Sequence, residues 1–129
     1  MKNLDFLDKV NNPLRKKSFL FAVRIVKLHQ FLVEEKKEYV ISKQVLRCGT
    51  NPGAMSREAD NAESSKDFIH KLSIAQKELS ETQYWLELLY VTDFLNEKEF
   101  CSLHEDAEEL LRIVSSAIIT KKKRLRSGN

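Results

Sequence analysis

Positions 66 to 95 read KDFIHKLSIAQKELSETQYWLELLYVTDFL. Within this stretch Phe68, Leu72, Ala75, Leu79, Thr82, Leu86 and Leu89 recur at alternating steps of four and three. At about 3.6 residues per turn, that spacing places all seven on one stripe of an α-helix, the seam that a bundle or coiled coil buries. Neither Gly nor Pro interrupts the run, and strong helix formers fill most of the other positions. A helix this long with a seam this regular has to be covered by other helices. Its second half carries more apolar side chains than one seam uses: Tyr84, Leu88, Val91 and Leu95 form a second stripe, with Trp85 beside it. These residues are either the edge of a thick core or a contact surface for another copy of the chain.

The rest of the chain supplies three more helices. Asn12 and Pro13 have the chemistry of a helix start, Asn as N-cap and Pro at the first helical position. The helix they open is expected to run to about position 33, with Phe21, Ile25, Leu28 and Leu32 on one stripe and Phe19, Ala22, Val26, His29 and Val33 on an adjacent one. Lys17, Arg24 and Lys27 share a third face. His29 is expected to be hydrogen-bonded at the core or its rim, since no second His or carboxylate lies a turn away to complete a metal site. A polar connector at 34 to 38 leads to a second helix beginning near Tyr39, on which Ile41, Val45, Cys48, Pro52, Met55 and Ala59 keep the four-three pattern. That pattern passes through Gly49-Thr50-Asn51-Pro52-Gly53, a string with turn chemistry. Periodicity predicts a continuous helix, kinked near Pro52, whose missing N–H and bulky ring disturb the bond back to Cys48. Gly49 and Gly53 share a face and let a neighbouring backbone approach.

Positions 60 to 65 form the next connector, where Ser64 and Asp67 resemble a capping box with Asp in place of Glu. Asn96 and Glu99 repeat the arrangement before a fourth helix, whose seam is Phe100, Leu103, Ala107, Leu110, Val114 and Ala117. Four helices with short connections predict an all-α, antiparallel, up-down-up-down four-helix bundle over residues 13 to 120. Residues 1 to 12 are expected to be a mobile arm and residues 121 to 129 a basic tail.

Three Gly and two Pro in 129 residues suit long helices, and a chain of this length can bury roughly two thirds of its unfolded surface as one domain. Cys48 and Cys101 have no metal-binding spacing and are expected to be buried, reduced thiols. The N-terminus lacks the apolar run of a signal peptide, and no stretch reaches the ~20 apolar residues of a membrane span, so a soluble, cytoplasmic protein is expected. Charge is uneven. Residues 1 to 57 hold twelve Lys and Arg against five Asp and Glu, residues 58 to 120 hold five against fourteen, and residues 121 to 129 hold five against none. Either basic and acidic helices pack side by side, or the cations meet an external polyanion.

Catalytic chemistry is not visible. The three histidines lie on different predicted helices, and there is no nucleophile elbow, phosphate-cradling glycine loop or paired Glu-x-x-His of a di-iron bundle. No cofactor, metal or small-molecule substrate is expected. Glu78 and Glu81 are either plain surface carboxylates or ion-pair partners of Arg47 or Arg57.

The stretches KSFLFAVRIVKL (17 to 28), KQVLRCGTNPGAMSREADNAESSKDFIHKLSIAQKE (43 to 78) and ETQYWLELL (81 to 89) resemble a bacterial four-helix-bundle family whose founding members are encoded in intervening sequences of large-subunit ribosomal RNA genes. The resemblance covers residues 14 to 118. Where the family usually has Arg-Ser-Gly-Thr-Ser-Ile-Gly-Ala, this chain has Arg47-Cys48-Gly49-Thr50-Asn51-Pro52-Gly53-Ala54. The resemblance implies a bundle that assembles into a ring, typically a homopentamer, without known enzymatic activity. It is similar more distantly to the accessory variability protein of retroelements, whose basic barrel binds nucleic acid.

The leading functional expectation is therefore a non-catalytic ring that binds RNA or DNA phosphates through Lys17, Arg24, Lys27, Lys121, Lys122, Lys123, Arg124 and Arg126, with Phe19, Tyr84, Trp85, Leu88 and Val91 at the contacts between copies. The alternative is a scaffold that docks a basic protein partner on the acidic third and fourth helices.

Overall fold

The structure, a computed structural model, describes residues 1–128. A short 3-10 helix, Asp5–Lys9, precedes four α-helices: α1 (Pro13–Glu34), α2 (Ile41–Asp60), α3 (Ser65–Val91) and α4 (Glu97–Arg126). No strand occurs among the described residues.

The helix starts follow the capping chemistry. The Asn12 side chain accepts the Arg15 N–H at 3.2 Å, with Pro13 in the first turn. Asn96 and Glu99 close a full capping box, each side chain accepting the other's backbone N–H. At α3 only half of the expected box forms. Ser64 Oγ accepts the Asp67 N–H, but the Asp67 carboxylate accepts from Glu63 instead, because Asp is one methylene shorter than the usual Glu.

The predicted seams are the core. On α3, Leu72, Ala75, Leu79, Thr82, Leu86 and Leu89 are buried, and Phe68 is half-buried at the end. Phe21, Ile25, Leu28 and Leu32 face them from α1, Val45, Cys48, Pro52 and Ala59 from α2, and Leu103, Ala107, Leu110 and Val114 from α4. Each fully buried Leu contributes about 2 kcal/mol against exposure. Helix α2 runs through Pro52 without interruption. Its two glycines mark where α1 comes closest: a Cβ on Gly49 would overlap Ile25, and one on Gly53 would press on the Ser18 carbonyl at 3.3 Å.

Neighbours round the bundle are α1 with α2, α2 with α3, α3 with α4, and α4 with α1. Contacts descend along one helix as they ascend along the next. Arg15 meets Asp60 and His29 meets Ser42; Arg47 meets Glu78 and Glu58 meets Lys71. Gln76 meets Ser115 and Glu87 meets His104; Lys17 meets Glu109 and Arg24 meets Asp106. One end of the bundle therefore collects the start of α1, the end of α2, the start of α3 and the end of α4.

Three boundaries and burials differ from expectation. The segment 1 to 12 packs on the bundle through Leu7, which is 4 % exposed, and through an edge-to-face contact of Phe6 with Phe19. The basic tail is not separate from the bundle: α4 continues through it to Arg126, because Lys and Arg are good helix formers and suit the negative end of the helix dipole. Asn129, the last tail residue, lies outside the described residues. Both thiols are free, as expected, but only Cys48 is buried, whereas Cys101 is exposed.

Candidate nucleic-acid interface

The end of α4 is the most cationic feature left open. Its last buried residue is Ile118, and from Ile119 to Arg126 all positions are exposed except Lys121. Eight residues at about 1.5 Å each extend roughly 12 Å past the core. Lys121 rests over the Phe68 ring at 4.8 Å, which ties the root of this projection to α3. Lys122, Lys123, Arg124 and Arg126 form no ion pair among the described residues. With Lys121 they place five cations on about a turn and a half of helix, with Leu125 among them.

The three cations predicted on the first helix behave differently. Lys17 donates to Glu109 of α4 at 2.5 Å. Arg24 donates to Asp106 at 2.5 Å and to Ser102 Oγ at 2.9 Å. Both are thus paired at the bundle surface with the acidic face of α4, and they do not join the α4 cations. A phosphate meeting Lys17 or Arg24 would have to compete with Glu109 or Asp106. The Lys17 hydrogen bond and charge hold the Glu109 carboxyl below its ordinary value of 4.5. Lys27 is exposed and has no ion pair, but it lies toward the other end of α1, on the rim of a shallow apolar groove with Phe19, Ala22 and Val26.

The acidic side chains of α3 are also largely engaged. Arg47 of α2 bridges Glu78, at 3.1 Å, and Glu81. Trp85 Nε1 donates to Glu81 at 2.9 Å. Desolvation opposes the charge on Arg47, but the Glu81 and Glu78 carboxylates outweigh it and raise the guanidinium pKa. Burial pushes the neighbouring Cys48 thiol up to about 11, which leaves it protonated and inert. His29 Nδ1 sits 3.1 Å from the Ser42 carbonyl, the satisfied rim histidine expected from the sequence.

Of the apolar residues expected between copies, Tyr84 is 55 % exposed and Val91 70 % exposed. Trp85 and Leu88 are half-buried, and Tyr84 packs edge-on against Trp85 at 4.9 Å. Phe19 is half-buried on the outer face of α1, where Val26 is 40 % exposed. Sequence reasoning missed Arg15 and Arg57 as a pair. They flank one groove, but they belong to two helices whose register no single-helix period reveals.

No group of three or more His, Cys, Asp or Glu among the described residues has the geometry to hold a metal ion. No helix among the described residues is long and apolar enough to cross a membrane.

Comparison with known proteins gives two findings. A family described as 23S rRNA-intervening sequence protein matches residues 11–116. The crystal structure of a protein with unknown function from the S23 ribosomal protein family of Bacteroides thetaiotaomicron shares the fold at a TM-score of 0.81 and is 50% identical, covering 81% of this chain and 97% of that one. No curated protein matches the chain.

Proposed function

The chain belongs to the 23S rRNA-intervening sequence protein family, and from that membership we propose a non-catalytic, antiparallel up-down-up-down bundle that forms a homo-oligomeric ring and binds RNA or DNA through backbone phosphates. The observation that carries the nucleic-acid reading is the projecting end of α4, where Lys122, Lys123, Arg124 and Arg126 are exposed on one rigid helix without counter-charges. An anionic backbone supplies those counter-charges, and release of its condensed cations drives binding. No aromatic side chain stands among these cations, so the contact is with phosphates rather than with stacked bases.

The ring reading rests on the two apolar faces. One lies on α1 around Phe19, Ala22 and Val26, the other on α3 around Tyr84, Trp85, Leu88 and Val91. Helices α1 and α3 are not neighbours in the bundle, so the faces are two separate surfaces. Two unlike faces favour head-to-tail contacts, which close into a ring, typically of five copies in this family. A ring repeats the α4 cations and lets weak contacts add. The exposed Cys101 thiol suits a reducing compartment, the cytoplasm.

The test is a mobility shift of the intact protein with generic RNA and DNA between ~50 and ~200 mM salt. Retardation that weakens steeply with salt, and that is lost in a K122Q/K123Q/R124Q/R126Q variant of unchanged helicity, is the expected result. No retardation at low salt overturns the reading and favours a scaffold that docks a basic protein on acidic α3 and α4. That alternative has fewer open carboxylates than the sequence suggested, since Glu78, Glu81, Asp106 and Glu109 already hold cations of this chain.

A further inference from the structure

A groove of about 420 Å³ opens between α1 and α2, outside the α4 projection. Its floor is made of side chains that occupy little space, Ala22, Gly53 and Ala54. Gly53 lies against the Ser18 backbone and Arg15 reaches toward Asp60, so Arg15 and Arg57 stand at the groove's outer end, on the same end of the bundle as the α4 cations.

Arg57 is unpaired there and Arg15 is only weakly paired. The Arg57 side chain makes no ion pair or hydrogen bond among the described residues. Arg15 has only a long 3.9 Å approach to Asp60, whose other oxygen accepts from Asn12 at 3.3 Å. Arg15 Nε is buried and has no hydrogen-bond partner at all. A buried guanidinium N–H without an acceptor is costly, and two guanidinium groups on one groove repel unless they share an anion. Lys17, two residues along α1, shows the contrast: it is paired closely with Glu109.

We infer that Arg15 and Arg57 clamp one phosphate group across the outer end of the α1–α2 groove. Two planar forks on the walls of one groove, one from each helix, match the tetrahedral oxygens of a phosphate better than a lysine pair would. The floor of Ala22, Gly53 and Ala54 leaves room for the phosphate oxygens and for the sugar or solvent behind them. Phe19 and Ala22, inward of Arg15 on α1, belong to the apolar face assigned to the ring contact, so a neighbouring copy covers the inner part of the groove and leaves the arginine end open. The clamp rests on the proposed nucleic-acid reading only for the source of the phosphate. A phosphodiester in a strand led from α4 and a free phosphate ion present the same oxygens.

The test uses the full chain, with arginine Nε–Hε resonances followed by NMR during titration with inorganic phosphate and, separately, with a generic single-stranded oligonucleotide. Expected are phosphate-dependent shifts at Arg15 and Arg57 that vanish in R15Q/R57Q, and oligonucleotide binding about tenfold weaker in that variant. Its salt slope should fall by about 0.7, the value for one lost phosphate contact on a single strand. Circular dichroism checks that the variant is folded, and R57Q alone, at an exposed position, serves if the double variant is not. Shifts with phosphate but unchanged oligonucleotide binding identify a free-phosphate clamp. Shifts with phosphate in a protein that binds no oligonucleotide keep the clamp and reject the nucleic-acid reading. Unmoved Arg15 and Arg57 resonances in both titrations overturn the clamp, whether or not the α4 cations retain the strand.

Discussion

Gly49 of α2 faces Ile25 of α1 so closely that a Cβ on Gly49 would stand 2.7 Å from Ile25 Cγ1 and 2.8 Å from Cγ2. Ile25 is fully buried and branched, so it has no free space to turn into. Gly49→Ala would gain about 1 kcal/mol of helix propensity, and overpacking a tight core costs about 1–3 kcal/mol. The overlap involves three Ile25 atoms at once, so packing wins and a net loss of about 1–2 kcal/mol is expected in denaturant unfolding. Gly53→Ala is the control: its nearest contact is 3.3 Å from the Ser18 carbonyl, and its stability change should stay within about 0.5 kcal/mol of zero. Equal effects at the two positions would show that propensity, not the α1–α2 approach, decides.

The Lys17–Glu109 pair gives a pH dependence with a definite sign. Lys17 holds Glu109 below its ordinary 4.5 by hydrogen bond and charge. A carboxylate depressed in the folded state adds stability at pH values above its unfolded pKa and loses it as pH falls through the folded one. The stabilisation from this pair is therefore complete in neutral solution and disappears in acid below 4.5. Lys17→Gln should raise the NMR titration midpoint of Glu109 toward 4.5 and cancel the stability difference from wild type in strong acid. Salt at about 1 M should shrink the shift, because the pair is on the surface. A midpoint that stays put in the variant removes Lys17 from the account.

What was legible in the sequence is what a single helix determines for itself. The α3 seam could be read from Phe68 to Leu89 because its period needs no partner, and the caps at Asn12 and Asn96 are local chemistry. The continuity of α2 through Pro52 followed from the burial pattern overriding turn-forming residues. What was not legible lies where register between helices decides. Lys17 and Arg24 share a face of α1 in sequence, but that Glu109 and Asp106 stand opposite depends on how α4 is placed along α1. The Arg15–Arg57 groove was invisible for the same reason. Leu7 gave no period because a 3-10 helix of five residues is too short to show one. The continuity of the tail with α4 is not legible because a single apolar side chain, Leu125, makes no seam, yet helix propagation past the core needs only good helix formers and a favourable dipole.

The two thiols should react on different clocks. Cys101 is exposed, whereas Cys48 is buried between α2 and its neighbours with its thiol pushed up to about 11. At pH about 8 an aromatic disulfide reagent should titrate one thiol per chain in the native protein, and the second only as denaturant opens the core. Two fast thiols in native buffer would contradict the burial of Cys48.

The unlike apolar faces make the ring testable by complementation. In a head-to-tail assembly, the α1 face of one copy meets the α3 face of the next. Val26→Glu buries a charge in the first face and Val91→Glu in the second, and both positions are exposed in the single chain, so folding should survive. Each variant alone should scatter light as a monomer of about 15.0 kDa, while wild type scatters as the ring. Mixed together, the Val91→Glu protein still offers an intact α1 face and the Val26→Glu protein an intact α3 face. One good contact can then form, and a heterodimer is expected that cannot grow further. A two-fold contact between like faces gives another result: one variant would be a dimer on its own, and mixing would change nothing. Wild type scattering as a monomer would remove the ring outright and leave Tyr84 and Val91 as ordinary exposed residues, because no second copy would then be available to cover either face.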